Sequence, residues 1–278
     1  MKRNMIHLFT TLFVMCVCNS VYAQDVEGRY TETEAVKKLQ NVVGRLIEEE
    51  GKKEKDEFSS PDQNVVSCWE KGLQEVEKEY GAISNEMFDC YSYAGNELFD
   101  ASLHISYKSQ LGYSCYLKAL DISKKLYGKD SAIVGHGYCR MVYACGPLSE
   151  DAEQYADSAL VILKNYYDEQ SPDVARVYWA LGYSYPLNND DVYRVAAQFM
   201  MNTGSEYFDE SFYEEIISNC EKSNENFKKA YDIYAGLGDE YKEYVDMLKE
   251  YITIQEQEIK DNKEELKRQG HKNEPSSE

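Results

Sequence analysis

Proline and basic residues are scarce in this chain. Only 5 of its 278 residues are proline, so long helices can form without interruption. Its 30 Lys and Arg residues are outnumbered by 50 Asp and Glu residues, which gives a net charge of −20. A surface this acidic repels phosphate backbones and anionic lipid. The charge balance therefore argues against a nucleic-acid partner and against a membrane surface as partner.

The residue patterns of common active sites are also missing. The chain has four histidines, no Cys-x-x-Cys pair and no phosphate-cradling glycine-rich loop, and no Ser–His–Asp arrangement has spacing support. His136 and Cys139 lie three residues apart on one predicted helix face, but two further zinc ligands are missing. No pair of carboxylates stands out for glycoside hydrolysis. We expect no cofactor, no metal and no enzymatic activity; a glycoside-processing enzyme remains the weaker alternative.

The one long apolar run lies at the start of the chain. Lys2 and Arg3 precede residues 6–17, which are mostly apolar, and Val21-Tyr22-Ala23 resembles a cleavage site, so residues 1–23 are predicted to be a signal peptide. The run is too short for a spanning helix of about 20 residues. An uncleaved anchor and lipidation at Cys16 or Cys18 are the alternatives. We expect a secreted or periplasmic protein, without stable membrane insertion after cleavage, whose net charge becomes −22. The mature chain has no Asn-x-Ser/Thr site, which favours a bacterial source.

Six cysteines would remain after signal cleavage. An exported protein could pair them as disulfides, but their spacings are irregular and most lie on apolar helical faces. We expect buried thiols, with disulfides as the alternative. The six are Cys68, Cys90, Cys115, Cys139, Cys145 and Cys220.

Helical periodicity covers most of the mature chain. Residues 31–34 offer a capping box, and apolar residues then recur at helical spacing from Ala35 to Ile47. Later stripes end at Gly81, Gly128 and Gly146-Pro147. No run alternates apolar and polar residues between hairpin turns, so the sequence predicts an all-α protein.

The helical segments repeat with a period of about 40 residues. Ala119-Leu120-Asp121-Ile122 recurs as Ala159-Leu160-Val161-Ile162, and Tyr138, Met141 and Cys145 recur as Tyr178, Leu181 and Tyr185. A unit of two helices cannot bury its apolar face alone, so neighbouring units must stack. The period predicts an alpha-alpha superhelix, a solenoid of antiparallel helix pairs.

Residues 178–185, Tyr-Trp-Ala-Leu-Gly-Tyr-Ser-Tyr, resemble the first helix of a tetratricopeptide repeat, in which the glycine permits close approach of the second helix. Residues 91–98 and 138–145 are looser copies, and the third has Val142 where glycine is usual. Small, aromatic and Ala residues of the second helix appear as Gly112, Tyr116 and Ala119. They recur as Ala152, Ala156 and Ala159, with Ala in the aromatic position. The long connections resemble the kinesin-light-chain subtype, whose units run to about forty residues.

The resemblance holds from about Asp62 to Tyr185 and then weakens. Residues 190–201 should form the next second helix but fit the pattern poorly, and residues 230–233 are a weak fourth copy of the repeat pattern. In the last helix Gln255 and Asn262 interrupt a near-heptad stripe, so we expect it to pack at first and then enter solvent as a cap. The predicted divisions are 1–23 (signal), 24–61 (helix and charged linker), 62–236 (repeats), 237–268 (capping helix) and 269–278 (disordered tail).

The resemblance implies a concave groove, lined by the first helices, that receives a protein or peptide. Carried onto this sequence, the groove positions are Asp89, Ser92, Asn96, His136, Cys139, Tyr143, Arg176, Trp179 and Tyr183. The aromatic members are of the type that dominates binding hot spots, although Trp179 and Tyr183 could instead pack between helices. The acidic surface favours a basic partner. A carbohydrate-binding protein of the cell envelope, with sugars stacked on tyrosines, is the alternative.

Overall fold

The computed structural model describes residues 33–52, 61–99, 107–145, 150–185 and 210–272, and it contains helices and turns but no strand over those ranges. The chain forms two compact units, Met1–Gly137 (unit 1) and Tyr138–Glu278 (unit 2). The described helices are α1 (Glu34–Gly51), α2 (Pro61–Tyr80), α3 (Asn85–Leu98), α4 (Tyr107–Tyr127), α5 (Ala132–Ala144), α6 (Glu150–Leu163), α7 (Pro172–Ser184), α8 (Glu210–Leu237) and α9 (Lys242–Lys272). The predicted fold class, an all-α repeat of helix pairs, is confirmed.

Local sequence signals set several helix ends. The hydroxyl of Thr33 accepts a hydrogen bond from the Val36 backbone N–H, so α1 is capped at Thr33, two residues after the start of the predicted capping box. Gly81 and Gly128 have φ of +80° and +84° and follow the last residues of α2 and α4. Because this left-handed backbone conformation favours glycine, both predicted stop signals are confirmed.

In unit 1, α1 and α2 run antiparallel. Lys38 pairs with Glu79, and Arg45 pairs with Glu75 at 3.1 Å. Later residues of α1 therefore lie beside earlier residues of α2. Between these exposed pairs the apolar faces of both helices join one core cluster that also includes residues of α3 and α4. Burial of this shared face, more than the surface ion pairs, stabilises the pair.

Glycine brings α3 and α4 of unit 1 close together. A Cβ on Gly95 would lie 2.6 Å from ring atoms of Tyr116, and one on Gly112 would lie 2.5 Å from the backbone nitrogen of Phe99. The Tyr116 hydroxyl donates to Asn96 Oδ1 at 2.8 Å, next to the glycine that its ring covers. The helices therefore touch at two points where no other residue type fits.

Unit 2 repeats this contact between α7 and α8. A Cβ on Gly182 would lie 2.6 Å from the Phe227 ring, and Ser223 Oγ donates to the Gly182 carbonyl at 2.9 Å. The predicted close approach at glycine is thus confirmed. The helix that packs on α7 is α8, which begins at Glu210; the predicted second helix at 190–201 lies outside the described residues.

The last helix, α9, stays packed on α8 well beyond the point where we expected it to enter solvent. Lys228 pairs with Glu256 at 2.8 Å, and Lys263 pairs with Glu221 at 2.7 Å. Gln255 is 0% exposed and Asn262 is 4% exposed. The expectation that these two residues mark a solvent-facing segment is therefore wrong, because α8 runs beside them and Asn262 Nδ2 also donates to the Glu258 carbonyl at 2.8 Å.

The six cysteines predicted to remain in the mature chain are all thiols, and five of them are buried, with Cys145 half-buried. The predicted signal peptide lies outside the described residues. Within the helices that the structure does describe, none combines the length and apolar content that crossing a bilayer requires.

Candidate partner-binding site

The groove positions predicted on α3 differ in their access to solvent. Asp89 and Asn96 are half-buried, and Asn96 is held by the Tyr116 hydroxyl. Ser92, between them, is fully buried. Two of the three predicted positions in this helix can therefore meet a partner, whereas Ser92 contributes to the interior of unit 1.

Asp89 is the electrostatically unusual member of the set. Burial, followed by the negative charge of Glu86 one turn earlier, raises the pKa of Asp89 from 3.8 to about 6. No cation or hydrogen-bond donor contacts its carboxylate among the residues that the structure describes. A half-buried carboxylate of this kind would be stabilised by a positive group arriving from outside.

The predicted positions on α5 fall at the boundary of the two units. His136, in unit 1, is half-buried. Cys139 and Tyr143 belong to unit 2, where Cys139 is buried and Tyr143 is half-buried with its ring edge-on to Tyr183 at 6.1 Å between centroids. Over the described ranges, no three His, Cys, Asp or Glu residues are grouped so as to hold a metal ion.

The predicted groove positions on α7 differ in their surroundings. Arg176 is half-buried, with Nη1 3.9 Å from Asp173 Oδ1 one turn away. Trp179 is only 3% exposed and packs edge-on against Tyr244 of α9 at 5.6 Å between centroids. Its indole N–H has no acceptor within the described part of the chain. Of the two interpretations of Trp179, packing between helices is the one that the structure shows.

Tyr183 is the centre of an aromatic cluster in unit 2. Its ring is edge-on to Tyr143, Phe227 and Tyr251, at 6.1, 5.8 and 5.1 Å between centroids, and its hydroxyl contacts that of Tyr251. We call Tyr143, Trp179, Tyr183, Tyr244 and Tyr251 the aromatic cluster. The three members that are half-buried, Tyr143, Tyr183 and Tyr244, present part of their rings outward. Such rings offer rigid, amphipathic contact area.

Sequence reasoning missed the contribution of α9 to this cluster. Tyr244 and Tyr251 lie seven residues apart, at equivalent heptad positions of the predicted capping helix. That spacing indicated a continuous aromatic face. It could not indicate which earlier helix the face would meet, because Tyr251 contacts a residue 68 positions before it.

Three of the buried thiols have a low tendency to ionise. Burial is the largest influence on the thiols of Cys90, Cys115 and Cys220 and raises the pKa of each to about 12, so they are not thiolates at neutral pH. A shallow open cleft on unit 1 contains none of the predicted groove residues. It is lined by Glu34, Lys37, Lys38, Asn41, Val42, Arg45 and Glu75.

No protein-family model matches the chain, and no curated protein matches it.

Proposed function

We propose that this protein is an exported, tetratricopeptide-like scaffold that binds a protein or peptide partner through the outward-facing side of its first helices. The half-buried carboxylate of Asp89 carries the proposal. It lies at a groove position that the resemblance implies, its environment disfavours the charged form, and no neighbour among the described residues neutralises it. A Lys or Arg side chain of a partner would remove that penalty, so the site favours a basic segment.

Two further observations support the proposal. The aromatic-on-glycine contact occurs in both units, as the tetratricopeptide resemblance implies for paired helices. In unit 2, Tyr143 and Tyr183 occupy predicted groove positions and remain half-exposed within the aromatic cluster. Rigid aromatic rings of this kind suit apolar residues of a partner segment.

The proposal is tested by selecting peptides from a random displayed library on the mature protein. We expect selected peptides to be enriched in Lys and Arg, and Asp89→Asn to weaken their binding by about tenfold, because the substitution removes the charge and keeps the shape. Glu97→Gln, on the exposed face of the same helix, is the matched control and should leave affinity unchanged.

A second pair of variants examines unit 2. Tyr143→Ala should weaken the peptides that contact the aromatic cluster, whereas Tyr166→Ala, which removes an exposed tyrosine outside the predicted groove, should not. Selected peptides without basic enrichment, or equal affinity for Asp89→Asn and the unmodified protein, would show that the groove is not the binding surface.

A further inference from the structure

Two equivalent helix ends, one in each unit, carry opposite charge. Residues 117–130 include the end of α4 and its following turn, and residues 157–170 include the end of α6 and its turn, 40 positions later. The first segment contains four lysines and two aspartates. The second contains three acidic residues and one lysine. We call these segments the basic end and the acidic end.

Both ends also expose apolar side chains. Leu126 and Tyr127 of the basic end are each more than a third exposed. In the acidic end, Val161 is 68% exposed and Tyr166 is 56% exposed, the two highest values for large apolar residues in the part of the chain that the structure describes. Leu126 and Tyr166 are equivalent by the 40-residue offset. Each end thus combines exposed apolar side chains with charged residues around them, as a protein interface combines an apolar centre with a polar rim.

The charges of both ends are available to an incoming surface. Lys118, Lys129 and Asp157 are exposed and form no ion pair with another described residue. Glu169 pairs with Lys164 at 3.2 Å, but its side chain is 72% exposed. An exposed pair of this kind contributes little to stability and can exchange partners readily.

We propose that the basic end of one molecule docks on the acidic end of a second copy of the same chain. The net charge of −20 makes most surface pairings between two copies repulsive, and the basic end is a segment where the local charge is reversed. Screening at physiological salt limits the long-range repulsion to about 8 Å, so close complementary contacts decide the orientation. Every copy carries both ends, so the basic end of each molecule can find an acidic end on another copy.

The inference goes beyond the proposed groove and is tested by exchanging charge between the ends. Lys118→Glu/Lys129→Glu makes the basic end acidic, and Asp157→Lys/Glu169→Lys makes the acidic end basic. Sedimentation velocity of the mature protein over a range of concentrations at about 0.15 M salt measures self-association. We expect each double variant alone to associate about tenfold or more weakly than the unmodified protein, because like charges then face each other.

An equimolar mixture of the two double variants should regain association, since the acidic end created in one faces the basic end created in the other. Lys260→Glu/Lys267→Glu on α9 makes the same change in net charge as Lys118→Glu/Lys129→Glu at residues outside both ends, and it should associate like the unmodified protein. The groove variant Tyr143→Ala should also associate normally, so failure of the groove proposal and failure of this one are distinguishable. A monomeric unmodified protein, or a mixture that associates no better than its components, would overturn the inference.

Discussion

Gly112→Ala probes the contact on which the α3–α4 pair of unit 1 depends. The added Cβ would lie 2.5 Å from the Phe99 nitrogen, 2.8 Å from its Cα and 2.9 Å from the Leu98 carbonyl carbon. All three are backbone atoms, so no side-chain rotation relieves the overlap and the two helices must separate.

The expected loss follows from two opposing effects. Overpacking of a closely packed contact costs about 1–3 kcal/mol, and contact with backbone places this site at the upper end. Alanine gains up to about 1 kcal/mol over glycine in a helix interior. We therefore expect Gly112→Ala to lower the free energy of unfolding by about 2 kcal/mol.

The matched control is Gly44→Ala, in the middle of α1, where a Cβ would meet nothing within 4 Å. It should raise stability by about 0.5–1 kcal/mol through helix propensity alone. Urea unfolding followed by circular dichroism gives the free energies, and hydrogen exchange shows whether the loss for Gly112→Ala is confined to α3 and α4. A Gly112→Ala variant at least as stable as the unmodified protein would refute the close-approach argument.

Three further predictions concern packing, pH and thiols. Val142→Gly and Ala156→Phe should each destabilise unit 2, and their combination should recover part of the loss, as a double-mutant cycle would show. Asp89→Asn should raise the melting temperature near pH 7.5. Because its pKa is raised, Asp89 binds a proton more tightly in the folded state, so its ionised carboxylate destabilises the fold fully above about pH 6. The gain in melting temperature from Asp89→Asn should therefore disappear as pH falls towards 3.8. In mass-spectrometric alkylation of the native protein, Cys145, which is half-buried, should react before the buried Cys220, whose pKa is raised to about 12.

Much of the fold could be predicted because its signals are local. Helical periodicity, stop signals at Gly81 and Gly128, and the aromatic-plus-glycine pattern near Gly95 and Gly182 are each contained in a few residues. They depend on backbone geometry and on the contact between one helix and the next. Those requirements are the same wherever a helix pair forms, so the sequence pattern is sufficient to predict them.

The surface of the candidate site could not be predicted to the same degree. Ser92, Cys139 and Trp179 occupy groove positions by the family pattern but are buried. Trp179 shows why: it packs against Tyr244, a residue of a helix 65 positions later whose place on the fold no local pattern gives. Which groove residues remain open therefore depends on long-range packing.

The buried polar residues of α9 also depend on long-range packing that the local sequence does not give. Gln255 and Asn262 read as solvent-facing because polar residues at seam positions usually weaken a helical interface. In the structure α8 packs along α9, and the exposed ion pairs Lys228–Glu256 and Lys263–Glu221 connect the two helices. A polar residue at the interface of two helices can specify how the helices align along each other, and it does not by itself show that the interface has ended.

The repeat is defined by a contact more than by a period. In unit 1, 21 positions separate Gly95 from the Tyr116 ring that covers it; in unit 2, 45 positions separate Gly182 from Phe227, yet the shortest Cβ-to-ring distance is 2.6 Å in both. The α5–α6 pair departs from the pattern at both positions together, with Val142 in place of glycine and Ala156 in place of the aromatic ring, and both are buried in one core cluster. A larger residue thus stands at the glycine position of the pattern and a smaller one at the aromatic position. The change of separation from 21 to 45 positions explains why a fixed spacing lost the repeat after Tyr185, while the contact between glycine and ring persists.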